Sequence, residues 1–227
     1  MQAMSTETFI GNMRGPVVRR MDADYDAVRS LYNGMIDKSP VMIARCTDVA
    51  DVVASVNFAR QNDLQVAIRG GGHNGPGLGS VDNGLMIDMS MMKGVRVNPT
   101  ACSVRAGPGC TQGDVDHATH IYGLAVPAGK SDTAWNTRNA TWSMVIAGID
   151  PNPQKAGEVT RWTKGYWEAV HPYSADGGYV NFMMDDGDDS RLKATYGDNY
   201  DRLVALKDKY DPTNFFRVNQ NIRPLHS

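Results

Sequence analysis

Residues 68–75 read Ile68-Arg69-Gly70-Gly71-Gly72-His73-Asn74-Gly75, and the three successive glycines constrain this chain more than any other feature. Without Cβ atoms, consecutive glycines let neighbouring backbone N–H groups turn toward one anion such as a pyrophosphate. Gly70, Gly72 and Gly75 satisfy the GxGxxG spacing of a dinucleotide loop. Such a loop must open a helix, and here Pro76, Gly77 and Gly79 follow, so the doubly wound reading fails on context. Taken alone, the run fits a ligand-free turn as well as a phosphate cradle. His73 adds chemistry, because a neutral imidazole nitrogen is a nucleophile that can bond to an electrophilic carbon of a cofactor. A lone histidine is also commonly just a hydrogen-bonded structural residue.

The flanking sequence places this loop at the end of a strand. Thr47 or Asp48 can cap a helix carrying Val49, Val52, Val53, Val56 and Ala59 on one side and ending near Gln61-Asn62. Leu64 to Ile68 then reads as a buried strand closed by the glycines. Upstream, Tyr25, Val28, Leu31 and Tyr32 approximate helical spacing. Downstream, Leu85–Met89, Val95–Val97 and Ser103–Ala106 read as strands, with a turn at Asn98-Pro99. A helix follows from Thr111 to Tyr122, stopped by Gly123. Further on, strands are expected at Trp142–Ile149 and Gly178–Met183, and helices at Gln154–Val170 and Asn199–Tyr210. Helix, strand and Gly-rich turn in that order begin an α/β layer. A domain junction is expected within Lys130–Ala140.

Composition narrows the function classes. Hydrophobic residues make up 41% and charged residues 21% of 227, ordinary for a globular protein with a real core. A net charge of −2 gives no field favouring nucleic acid or an anionic membrane. No apolar run is long enough to span a bilayer, and residues 1–15 lack the apolar core of a secretory signal. Cys46, Cys102 and Cys110 are odd in number and form no CxxC pair, which argues against a disulfide framework or a zinc site and makes the cytoplasm the default.

Other constellations point to less. His117 and His120 stand three apart on a helix, but no third metal ligand accompanies them. Asp185-Asp186-Gly187-Asp188-Asp189 lacks the order of a calcium loop and reads as an acidic turn. Trp162, Tyr166 and Trp167 are expected as core and boundary residues. The serines and cysteines form no triad pattern.

A second layer of information lies in the order of several segments. Asp48-Val49, Ala59-Arg60, Val66 through Asn74, Leu85-Met86-Ile87-Asp88-Met89-Ser90 and Gly123-Leu124-Ala125-Val126-Pro127-Ala128-Gly129 stand in sequence. They are followed by Tyr179-Val180-Asn181-Phe182, Tyr196-Gly197, Arg202-Leu203, Lys207 and the tail Tyr210-Asp211-Pro212-Thr213-Asn214-Phe215-Phe216-Arg217-Val218-Asn219-Gln220-Asn221-Ile222. In this the chain resembles the berberine-bridge-enzyme-like FAD-linked oxidases of the vanillyl-alcohol-oxidase and p-cresol methylhydroxylase superfamily. The resemblance implies FAD held by Arg69, Gly70, Gly71, Gly72, His73, Asn74 and Gly79, with a covalent bond from His73 to the flavin 8α-methyl. Many members add a second bond from a cysteine after Pro-Ala-Gly; Ala128-Gly129-Lys130-Ser131-Asp132 contains none, which implies a single attachment. Tyr179 matches the family tyrosine on the substrate side and is the candidate proton acceptor or orienting group. A phenol needs a neighbouring cation or hydrogen bonds to act as a base. Asn181 and Asn219 are candidate flavin-side hydrogen-bonding residues.

Family members are much longer. Between Ser131 and Trp135 the chain passes directly to the final strands of the substrate domain, and the second Gly-rich flavin loop is missing, as after a large internal deletion. The expected fold class is α+β: an N-terminal FAD-binding α/β portion (1–130), a reduced substrate-domain remnant (131–198), and a C-terminal segment returning to the FAD portion (199–227). The implied activity is oxidation of a small-molecule alcohol or amine, with O2 as electron acceptor. The implied partners are thus a small molecule and O2, with no metal, nucleic acid or membrane, and exposed edges leave self-association as a homo-oligomer open. A flavin-binding chain without activity and a self-associating interaction protein stand as alternatives.

Overall fold

The central sheet is built from four short segments, Val17–Arg19 (β1), Met42–Arg45 (β2), Val66–Arg69 (β3) and Leu85–Asp88 (β4), in the order β1-β2-β4-β3. The computed structural model describes residues 3–125, 146, 148–174, 183 and 189–225. β1 runs antiparallel to β2, whereas β2, β4 and β3 are mutually parallel. Central β4 is buried at every position, which is why Leu85, Met86 and Ile87 read as a continuous apolar run rather than an alternation before the closing Asp88. One face of the sheet carries Met42, Ala44, Val66, Leu85 and Ile87 against Phe9, Phe58 and Ala59. The other face carries Val18, Ile43 and Met86 against Tyr25.

Helices follow from local capping. Thr6–Asn12 (α1) starts at Ser5, whose side chain accepts from the Thr8 N–H, and its Phe9 stacks on Phe58 with ring centroids 4.2 Å apart. Tyr25–Arg29 (α2) is shorter than the sequence predicts. Leu31 and Tyr32 leave the helix after an extended Ser30, and the Tyr32 N–H donates instead to the Gly72 carbonyl at 3.2 Å. Val49–Gln61 (α3) has Asp48 as its cap, as expected, but a different buried face. Val49 and Val53 are exposed, while Asp51, Ser55, Phe58 and Ala59 are buried. The physical reason is Asp51, whose carboxylate gathers the N–H groups of Arg14, Gly15 and Thr47 at 2.8–3.0 Å. Gly15 passes so close that a Cβ there would lie 1.9 Å from the Arg45 carbonyl oxygen.

Val95–Asn98 (β5) and Ser103–Ala106 (β6) form an antiparallel hairpin, and Gln112–His120 (α4) follows with a reciprocal capping box between Thr111 and Asp114. The remaining helices are Ala156–Val170 (α5), Asp189–Tyr196 (α6) and Tyr200–Tyr210 (α7). The sequence reading omits α1, β1, β2 and α6. The strands expected at 142–149 and 178–183 fall mostly outside the described residues, which include only Ile146, Gly148, Ile149 and Met183 of them. Of the acidic turn at 185–189 only Asp189 is described, in the first turn of α6.

The chain divides into two compact units, Met1–Ala128 with Val180–Asp186 and Asp201–Ser227, and Gly129–Tyr179 with Gly187–Tyr200. In the first, α7 ends at Asp211, which accepts from Lys207 Nζ and from the N–H groups of Phe215 and Phe216. Phe215 packs against the α3-side core under the Arg60 guanidinium. In the second, Gly148 lies so close to α5 that a Cβ would meet Val159 Cγ1 at 2.4 Å. That contact uses Val159 and Thr163, and Trp162, Tyr166 and Trp167 stay 56%, 46% and 39% exposed, which corrects their reading as core residues. Among the described residues no helix is long and apolar enough to cross a membrane.

Candidate functional site

The parallel register aligns Arg45 with Asp88 and Asp88 with Arg69, so a carboxylate stands between two guanidinium groups at the carboxyl ends of β2, β4 and β3. Ligands of open α/β sheets bind outside that end of the strands. Asp88 is fully buried, 2.7 Å from Arg69 NH2 and 3.3 Å from Arg45 Nε. Burial alone would raise its carboxyl, but the Arg69 hydrogen bond and charge and the Ser90 N–H outweigh that and hold it below the ordinary carboxylate value. The second Arg69 nitrogen, NH1, donates to the carbonyls of Val28 and Ser30. Its side chain therefore anchors the start of the Gly-rich loop rather than reaching out of it.

From that anchor the loop is held by its carbonyls. Gly72 O accepts from the Tyr32 N–H, Gly75 O from Asn33 Nδ2 at 2.9 Å, and Gly77 O and Ser80 O from Lys38 Nζ. Asn74 closes the turn itself, its Oδ1 accepting from Leu78 N–H and its carbonyl from Gly77 N–H. The opposite set of groups is left over. Among the described residues, the N–H groups of Gly70, Gly71, Gly72, His73, Asn74 and Gly75 donate to no protein acceptor. A run of unused amides whose carbonyls are tied back is an anion-binding arrangement. Gly72 has φ +70°, which favours glycine, and a Cβ on Gly71 would stand 3.1 Å from His73 Nδ1. Ser80, at the far end of the loop, has a buried hydroxyl with no partner among the described residues.

His73 is exposed at the centre of this run. Its Nδ1 lies 2.7 Å from the Gly71 carbonyl oxygen, and its ring stacks on Tyr32. Gly79 packs behind the loop against the Arg69 side chain. Asn219 donates from Nδ2 to the Phe216 carbonyl within its own tail. Tyr179 and Asn181 lie outside the described residues. His117 and His120 have ring centroids 5.7 Å apart, with His120 Nδ1 on the His117 carbonyl, and among the described residues no three metal-ligating side chains gather anywhere. Sequence reasoning missed Asp88, Tyr32, Asn33 and Lys38. A charge closing an apolar strand was a readable signal for Asp88; the other three act through long-range contacts that leave no local pattern.

Two family models match this chain: a FAD binding domain over residues 40–135, and the berberine and berberine-like segment over 178–223. Over these two segments the chain is similar to berberine-bridge-like FAD-linked oxidoreductases. The (R)-6-hydroxynicotine oxidase of Paenarthrobacter nicotinovorans is 31% identical over 118 residues, 52% of this chain and 26% of that protein. A FAD-linked oxidoreductase of Dictyostelium discoideum is 33% identical over 122 residues, 53% of this chain and 26% of its own length. The crystal structure of 6-hydroxy-D-nicotine oxidase from Arthrobacter nicotinovorans matches with 32% identity and a TM-score of 0.48, over 50% of this chain and 25% of that one. The chain thus spans about a quarter of the length of the relatives it matches. The matched domain model is a FAD binding domain, and the Gly70–Gly75 amides that meet no acceptor among the described residues, with the bare Gly70–Gly72 backbone, fit the pyrophosphate of FAD.

Proposed function

We propose that this chain binds FAD across residues 69–79 and acts as an FAD-dependent oxidoreductase on a small-molecule alcohol or amine, with O2 as electron acceptor. The observation that carries the reading is the row of amides from Gly70 to Gly75, with no acceptor among the described residues and His73 at its centre. FAD, when bound, supplies the hydride-accepting chemistry. The protein's part is to hold the pyrophosphate on the Gly70–Gly72 backbone, keep the cofactor attached through His73, and orient the substrate. Tyr179 is assigned to take or orient the substrate proton, and Asn181 and Asn219 to hydrogen-bond on the flavin side. Arg69 serves through its backbone and its grip on Asp88. We assign 1–130 to the FAD-binding portion, 131–198 to a reduced substrate segment and 199–227 to a returning tail, with a cytoplasmic location supported by three free cysteines.

A second reading, a flavin-binding chain without turnover, is favoured by the quarter-length match. The visible spectrum of purified protein, before and after acid denaturation, tests the shared part of both. Yellow colour that stays with the denatured wild type, and becomes extractable in His73→Ala, supports the assignment. A chain that never retains flavin when expressed with FAD defeats it.

A further inference from the structure

Asn33 precedes the matched FAD binding domain, which begins at residue 40, and belongs to none of the segments that carry the resemblance, yet it grips the Gly-rich loop. Its Nδ2 donates to the Gly75 carbonyl at 2.9 Å, while its Oδ1 accepts from the Met35 N–H at 3.1 Å. The second bond fixes the direction of the first. Turning the amide over would set donor against donor and oxygen against oxygen, and both bonds would be lost. The Asn33 carbonyl also accepts from the Ile36 N–H, so residues 33–36 form a tight turn. Ile36 then packs so closely on the loop that a Cβ on Gly77 would stand 2.5 Å from its Cγ2.

Gly75 is where such a grip has most to do. Its carbonyl belongs to the peptide that ends at Pro76, and that peptide has no N–H, so the carbonyl is its one polar handle. Beside Asn33, the Tyr32 N–H holds the Gly72 carbonyl at 3.2 Å. Adjacent residues thus tie down both ends of the stretch that carries the His73, Asn74 and Gly75 amides, which meet no acceptor among the described residues. In a trans peptide the carbonyl and the following N–H point oppositely. The Gly72 tie therefore turns the His73 N–H away from Tyr32, and the Asn74 carbonyl, bonded to the Gly77 N–H, turns the Gly75 N–H away from Gly77.

We propose that Asn33 is a positioning residue for the anion site: by holding the Gly75 carbonyl it keeps the 73–75 amides turned toward the phosphates of the cofactor. It acts through the loop backbone. The inference rests on the flavin reading for the identity of the anion, whereas the grip itself stands on geometry. Asn33→Asp is the sharpest variant. It is nearly isosteric and still accepts from Met35, but it sets a carboxylate oxygen against the Gly75 carbonyl in place of a donor. Asn33→Ala removes both bonds and adds no charge.

The test uses the full chain. Amide hydrogen exchange, followed by NMR in flavin-free protein, reads the grip residue by residue. In Asn33→Asp the Tyr32, Gly77 and Leu78 amides should exchange about three- to tenfold faster, the equivalent of one hydrogen bond, while Met35 stays protected. In Asn33→Ala the Met35 amide should lose its protection as well. Affinity for FAD is measured with every variant folded and in a His73→Ala background, which keeps binding reversible. It should fall about three- to tenfold in Asn33→Ala, again the equivalent of one hydrogen bond, and further in Asn33→Asp. Only the extra loss in Asn33→Asp should shrink as salt rises, because it is charge repulsion. Exchange at Tyr32, Gly77 and Leu78 identical to wild type in both variants overturns the proposal. Faster exchange with unchanged FAD affinity overturns it too, since Asn33 would then brace the loop without serving the site. A chain that takes up no FAD, with or without His73, defeats the flavin reading instead, and the exchange pattern still decides whether Asn33 shapes the loop.

Discussion

At position 88 a carboxylate ends a strand whose other residues are all apolar and buried, and two guanidinium groups converge on it. Removing one member of a buried ion pair leaves an uncompensated charge, at a cost of about 3–5 kcal/mol. Asp88→Ala should therefore lower the urea midpoint by that equivalent and loosen the Gly-rich loop, since Arg69 loses its anchor. The depressed folded-state value of Asp88 also sets a pH dependence. Its contribution is complete above the unfolded carboxyl value of about 4 and is lost as pH falls through the lower folded value. Asp88→Asn should thus flatten the acid limb of the stability curve, and an acid limb as steep as in the wild type would assign acid unfolding to other groups. Cys46 makes the opposite case. Burial pushes its thiol up to about 11, while Cys102 is exposed. Alkylation at pH 8 should modify Cys102 and Cys110 in the native chain and reach Cys46 only after unfolding, as mass spectrometry of the adducts would show. The loop and His73 were legible in the sequence because glycine and histidine declare themselves locally. Asp88, lying in a stretch already read as strand, needed the strand register before its two arginines appeared beside it.

Among the elements, α3 illustrates how a helix start can organise a domain. Asp48 caps it in the ordinary way, whereas Asp51 turns inward and accepts from Arg14, Gly15 and Thr47, fixing the chain that leads into β1. Burial raises the Asp51 carboxyl, and the hydrogen bonds from Thr47, Arg14 and Gly15 more than reverse it, so the group stays ionised where it is needed. Hydrogen bonds to a charged group contribute about 1.5–3 kcal/mol, and unmet buried donors add a similar penalty. Asp51→Ala should cost about 2–4 kcal/mol in chemical denaturation, with Thr47→Ala costing less because only the hydroxyl bond is lost. An Asp51→Ala chain as stable as the wild type would show that the Arg14–Gly15 crossing holds without it. The existence and caps of α3 and α4 were readable because Asp48, Thr111 and Asp114 act within one turn. The buried face of α3 was not, because valine spacing predicts it and Asp51 overrides it. The end of α2 was missed for a related reason: Leu31 and Tyr32 keep helical spacing, but the Gly72 carbonyl, 40 residues on in sequence, takes the Tyr32 N–H. β1 has only three residues, too few to show an alternation.

For the whole molecule, the question is how much chemistry a quarter-length match can carry. The matched segments bring the FAD binding domain over 40–135 and the berberine-like segment over 178–223. For holding a cofactor, residues 28–90 contribute six amides that meet no acceptor among the described residues, a histidine among them and the ionic anchor beneath. Catalysis asks for more, because the substrate carbon must be held about 3–3.5 Å from the reacting atom in aligned geometry. Walls on several sides of the cofactor are needed for that, and the aligned region amounts to 26% of the nicotine oxidase. An unassisted phenol has a pKa of about 10 and is a feeble base near neutrality, so a proton-accepting tyrosine needs enclosure or a neighbouring cation. Flavin retention and turnover should therefore separate: the chain is expected to hold FAD while producing peroxide far more slowly than the enzyme median of about 10 s⁻¹, across sugars, secondary alcohols and cyclic amines. Reduction of the bound flavin by dithionite, followed by reoxidation in air, should proceed normally, which locates the deficit in substrate positioning rather than in the cofactor. Turnover near that median, abolished by Tyr179→Phe with flavin content unchanged, would show instead that this short chain encloses a working site.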